Sequence, residues 1–115
     1  MSYVSAFVAA VPESNKDAYV EAAREAWKLF SEYGALGVHE CWEDDVPDGK
    51  VTSFPMAVKR EPGEKIVVSW IIWPDKATYE RCIASTETDE RWAQMAMPFD
   101  GKRMIYGTFT PIFTA

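Results

Sequence analysis

A chain of 115 residues, with twelve Lys and Arg against eighteen Asp and Glu, has room for one domain and carries a formal charge of −6. That balance repels a phosphate backbone, and no basic arm or Arg-rich patch offsets it, so nucleic acid is disfavoured as a partner. A 48% hydrophobic share, with five Trp, five Tyr and six Phe, argues against disorder and leaves aromatic mass to spare for an interface or a ligand cavity.

The apolar opening from Met1 to Val11 has no Lys or Arg ahead of it and is too short for a bilayer, so it reads as a buried strand rather than a leader or membrane span. Within it, Tyr3, Ser5, Phe7, Ala9 and Val11 point one way, and Val4, Ala6, Val8 and Ala10 the other. Neither set is charged, which places the strand inside a sheet covered on both sides. Pro12 closes it. Ser14 is positioned to cap a helix of about 20 residues. Its inner stripe is Tyr19, Ala23, Ala26, Phe30 and Tyr33, widened by Ala22 and Trp27, and Gly34 supplies the stop.

Leu36 to Asp45 reads as a second strand, with Leu36, Val38, Glu40 and Trp42 on one face and Gly37, His39, Cys41 and Glu43 on the other. Mixed polarity marks it as an edge. Pro47-Asp48-Gly49 is a turn, and Phe54 to Val58 forms a short helix or irregular strand in a connection long enough to cross one end of the sheet. Ile66 to Trp73 is apolar on both faces apart from Ser69, so it is the second central strand. Pro74 stops it. Asp75 caps a helix from Lys76 to about Thr86, with Tyr79, Cys82 and Ile83 inward. Asp89 opens a short helical piece bearing Trp92, Met95 and Ala96, and a turn at Pro98-Phe99-Asp100-Gly101 leads to a last strand from Arg103 to Phe113.

This order is βαββαβ, an α+β ferredoxin-like sandwich with an antiparallel sheet and both helices on one side. The helices shield one face only. A second copy of the chain is the expected cover for the other, making the domain a homodimer. Two cysteines without a CxxC, both in apolar elements, read as inert buried thiols in a reducing cytoplasm, with one intramolecular bridge as the alternative.

Glu40-Cys41-Trp42 running to Asp45-Val46-Pro47-Asp48-Gly49-Lys50-Val51, then Ser69-Trp70, Trp73-Pro74, and the block from Met97 to Gly107, resemble a family of short bacterial proteins of unknown function. That family sits in the dimeric α/β-barrel superfamily, and the likeness spans nearly the whole chain. It implies a ferredoxin-like subunit pairing sheet to sheet around a cavity. It implies no activity. More distant members of the superfamily include cofactor-free monooxygenases, haem-binding or haem-degrading enzymes, lactone isomerases and stress-related proteins, and none of their motifs is visible here.

The ionisable candidates for chemistry are His39 and Glu43. His39, the single histidine, is an axial haem ligand only if it faces a cavity, and with Cys41 and Glu43 it does not match the spacing of a closed zinc site. No metal and no cofactor is required by any motif. Glu40 and Glu43 face opposite ways, so only one of them can serve a cavity as acid or base. Trp70 and Tyr106 are the candidate ligand contacts, against the plainer reading of both as core. Three roles follow: a homodimer holding a small hydrophobic or aromatic molecule between its sheets, a cofactor-independent monooxygenase- or isomerase-like enzyme on a small aromatic substrate, or a structural dimer with a filled barrel.

Overall fold

Both runs that are apolar on two faces become central strands in the computed structural model, which describes residues 2–115. The elements are β1 (Tyr3–Pro12), α1 (Lys16–Glu32), β2 (Gly37–Trp42), α2 (Phe54–Ala57), β3 (Glu64–Trp73), α3 (Lys76–Ser85) and β4 (Ile105–Phe109). The sheet order is β2-β3-β1-β4 and every pair is antiparallel. This is the α+β ferredoxin-like fold that the element order predicts. Among the described residues no helix is long and apolar enough to cross a membrane.

The register aligns Tyr106, Phe7, Ser69 and Glu40 in one row across the sheet, and Gly107, Ala6, Trp70 and His39 in the next. Neighbouring rows point to opposite faces. The first belongs to the helix-covered side, where Ala9, Val11 and Val67 pack with Tyr19, and Ile71 and Trp73 pack with Ala35 and Cys82. Trp73 is wholly buried, and its indole N–H donates to Ser5 Oγ at 3.0 Å. On the opposite side, Val58 from the connection after β2 covers Ala10 and Ile66 at one end of the sheet. Val8 and Val68 pack against the edge of that cluster, and along with Ala6 and Trp70 they stay only partly buried.

Several boundaries differ from the sequence reading, each for a local reason. Ser14 does not cap α1. A 3-10 turn at Glu13–Asn15 precedes the helix, and Asn15 sends its amide to the Pro98 carbonyl at 2.9 Å instead of to the helix end. Leu29 joins the buried side of α1, while Ile83 of α3 is 45% exposed and leaves the inner positions to Thr78, Cys82 and Ser85. Gly34 does end α1, at φ 106°, where a methyl group would meet Thr78 Cγ2 at 2.6 Å. The last strand starts only at Ile105. Arg103 is taken up in a 3-10 turn and forks onto the Glu64 carboxylate at 2.8 and 2.7 Å. Pro111, lacking an N–H, follows soon after its end. Cys41 is exposed because β2 is an edge strand, contrary to the buried thiol expected there, and both cysteines are free rather than bridged. Burial pushes the Cys82 thiol up to about 11, so it is the inert one of the two.

Candidate functional site

Alanines make the cavity. Between Tyr19 and Phe30 the inner side of α1 presents Ala22, Ala23 and Ala26, which leave open the space that larger side chains would fill. The sheet provides Phe7 and Glu40, and the segment after α3 provides Trp92, Ala93, Met95, Ala96, Met97, Pro98 and Phe99. Together they line an open-mouthed cavity of about 480 Å³, within the range of small-molecule sites.

That third wall is tied down at both ends. Near its start, Tyr33 donates its hydroxyl to Asp89 Oδ2 at 2.6 Å, Arg91 reaches Glu32 at 2.6 Å, and Trp92 packs on Phe30 at 5.0 Å between ring centres. The Trp92 indole N–H donates to Ser85 Oγ at 2.9 Å. Near its end, Asn15 holds the Pro98 carbonyl, and Phe99 lies against Tyr19 at 5.8 Å and Phe7 at 6.5 Å. Met95, Ala96 and Met97 span the interval between the two anchors.

The floor holds the ionisable pair. The Tyr19 hydroxyl donates to Glu40 Oε1 at 2.6 Å, a short bond of the charge-assisted kind. Tyr19 is 6% exposed, and burial followed by the neighbouring carboxylate drives its pKa well above the ordinary phenol value. Glu40 is solvent-exposed as a residue, on an edge strand, yet its carboxyl lies close enough to protein that desolvation raises its pKa, with the Tyr19 and Ser69 hydroxyls pulling the other way. Ser69 stands directly opposite Glu40 in the register. Its hydroxyl is near enough to act on the carboxyl, but its Oγ is buried with no partner in hydrogen-bonding geometry.

A raised carboxyl pKa carries a definite sign. Above its folded pKa, Glu40 is charged in both states, and the fold bears the desolvation cost. As the pH falls through that value the native state takes up a proton first, and the cost is gone below about pH 4, where the unfolded carboxyl is protonated too. Glu40→Gln is therefore expected to raise the melting temperature at pH 8 and to leave it unchanged near pH 3, which paired thermal unfolding curves would check. A variant less stable than the parent at pH 8 would reverse this account.

The four residues singled out from sequence lie elsewhere. His39 and Trp70 come together, stacked at 5.0 Å and 17° between planes, but on the open face of the sheet. Glu43 is held by structure: its Oε1 accepts from the Ile66 N–H and from Arg60, each at 2.8 Å, and Arg60 also reaches Asp48 at 3.1 Å. Burial opposes its charge, but the Ile66 N–H and Arg60 together hold its pKa below the ordinary value. Tyr106 is 79% exposed at the sheet edge, in the row opposite to that of Trp70. Among the described residues, no three His, Cys, Asp or Glu side chains gather as a metal site. The residues that the sequence reading passed over are Tyr19 as the partner of Glu40 and the alanines beside it. The signal was an inner helical stripe thin in large side chains, facing the same side as Glu40.

Residues 2–101 match a family model described as Protein of unknown function (DUF1428). The uncharacterized protein YbaA of Escherichia coli K12 is 53% identical over 114 residues, covering 97% of each chain. Among solved structures, a dimeric ferredoxin-like protein from an uncultured marine organism superposes with a TM-score of 0.63 at 12% identity, over 99% of this chain and 98% of that one. A mutant of SnoaB, a cofactor-independent oxygenase from Streptomyces nogalater, does so with a TM-score of 0.60 at 14% identity, over 98% and 95%. At such identities these two likenesses speak for the fold alone.

Proposed function

Since the chain belongs to the DUF1428 family, its role has to be read from its own cavity, and we propose that it holds a small, flat, mostly apolar molecule between α1 and the sheet. The observation that carries this reading is the 480 Å³ space lined by alanine, methionine and aromatic side chains, with one ionisable pair at its floor. The sequence places a ligand between two sheets instead. On that face there is a groove of about 200 Å³ along Val8, Val68, Ile105, Tyr106 and Phe109, without a charged group.

That open face we assign to a second copy of the chain. Ile105 and Phe109 expose much of their side chains beside the uncovered central strands, and no second layer of this subunit reaches them. A stable interface takes about 800 Å² from each partner. His39 and Trp70 then lie within a homodimer interface. We place the protein in the cytoplasm, a compartment suited to its two free thiols.

Calorimetric titration with naphthalene tests the cavity. Saturable binding of one molecule per chain is expected, weakened tenfold or more by Ala23→Leu and by Ala26→Leu, since each fills the space without adding charge. Absence of saturable binding to the unsubstituted protein would overturn the reading. An unchanged affinity in both filled variants would do the same.

A further inference from the structure

The hydrogen-bonding capacity of the side chains lining the cavity is one-sided. Three lining side chains carry donors, and all three are committed to protein acceptors: the Tyr19 hydroxyl to Glu40 at 2.6 Å, the Thr86 hydroxyl to the Ile83 carbonyl at 2.7 Å, and the Trp92 indole to Ser85 at 2.9 Å. Glu40 is different. An ionised carboxylate offers about four acceptor positions, and the cavity-side bond from Tyr19 occupies one of them. Among the lining side chains, the unspent capacity that a ligand would meet is therefore acceptor capacity, concentrated on Glu40.

Charge points the same way. No Lys or Arg is among the described residues lining the cavity. In the adjoining groove along α1, Lys28 is paired with Glu25 at 2.9 Å, and Arg91 is paired with Glu32 and Asp89 at 2.6 and 2.7 Å. An anionic ligand would bury its charge beside Glu40 with no cation to meet it, which is costly in an apolar site. The buried, unpartnered hydroxyl of Ser69 stands across the register from Glu40.

Resting on the cavity reading, we propose that the Glu40 carboxylate, steadied by Tyr19, is an acceptor site selecting neutral flat molecules that bear a hydroxyl or amino donor, and that carboxylates of the same shape are refused. Apolar walls set the affinity, and Glu40 sets which polar group goes to the floor.

Three ligands of one framework separate these effects: naphthalene, 1-naphthol and 1-naphthoate, titrated into the intact protein at pH 8. One hydrogen bond to a charged acceptor should make 1-naphthol bind about tenfold or more tightly than naphthalene. 1-Naphthoate should bind about a hundredfold more weakly than 1-naphthol. Glu40→Gln should bring the affinities for naphthol and naphthalene together and admit naphthoate. Glu40→Asp, which withdraws the carboxylate but keeps its charge, should reduce the naphthol preference while still refusing naphthoate. Lowering the pH until Glu40 is protonated should erase the preference in the parent protein and change nothing in Glu40→Gln. Naphthalene binding with equal naphthol affinity, a preference that survives Glu40→Gln, or naphthoate bound as tightly as naphthol would each overturn the acceptor site while leaving the cavity reading in place. No naphthalene binding at all would overturn both.

Discussion

Trp73→Ala is expected to lower stability by about 3–5 kcal/mol, the range for removing a large buried aromatic. Against about 5–15 kcal/mol for a whole domain, that is enough to bring unfolding near growth temperature. The melting temperature should drop by on the order of 15 °C. Trp73 has the largest side chain among those fully buried, and three interactions converge on it. Phe30 meets its ring edge-on at 6.1 Å, Tyr79 does so at 5.6 Å, and Ser5 accepts its N–H. Phe30 is also a wall of the cavity, so the loss extends from the core to the binding site. Trp73→Phe keeps one aromatic ring but loses the fused five-membered ring and its hydrogen bond, an intermediate cost of about 1–3 kcal/mol. Urea denaturation of the three proteins would read these differences directly. Near-equal midpoints for the parent and Trp73→Ala would mean that the joint between β3 and the two long helices does not anchor the fold.

Period-two patterning explains how much of the architecture was legible beforehand. Ser5, Phe7, Ala9 and Val11 alternate with Val4, Ala6, Val8 and Ala10, and only a strand buried on both faces tolerates two apolar sets. The same argument placed β3 in the middle and β2 at an edge, as the observed strand order has them. Boundaries were less legible because they depend on distant partners. Ser14 loses the capping role to a 3-10 turn whose last residue, Asn15, is held by the Pro98 carbonyl, and Arg103 leaves strand geometry to meet Glu64. Neither partner is near in sequence.

The site was harder still, for a related reason. Faces were read correctly for Glu40 and Glu43, but face alone does not say which carboxylate meets a cavity. Glu43 is absorbed by Arg60 and the Ile66 N–H, a demand that arises only once the connection after β2 folds back. Glu40 depends on Tyr19 for its hydrogen bond and on Ala22, Ala23 and Ala26 for its access. Each alanine looks like ordinary helix filler until the wall from Trp92 to Phe99 stands opposite. A cavity is a property of what several elements leave unfilled, and no single periodicity records that.

Trp70 and Ile71 are adjacent in the chain and face opposite ways, so they give the most direct test of the proposed interface. Aspartate at the two positions has different expected outcomes, because Ile71 lies 8% exposed in the helix-side core. Ile71→Asp would strand a carboxylate there and unfold the subunit, at a cost of about several kcal/mol. Trp70 stacks on His39 on the uncovered face. Trp70→Asp therefore leaves the subunit core intact while removing an aromatic anchor from the interface and burying a charge in it. Together these should weaken dimerisation on the order of a thousandfold. Light scattering at micromolar concentration should give the mass of two chains for the parent and of one folded chain for Trp70→Asp. Ile71→Asp should show unfolded or aggregated material by circular dichroism and scattering. A parent protein that is already a folded single chain would refute the interface outright, and a Trp70→Asp variant that stays dimeric would move it to another face.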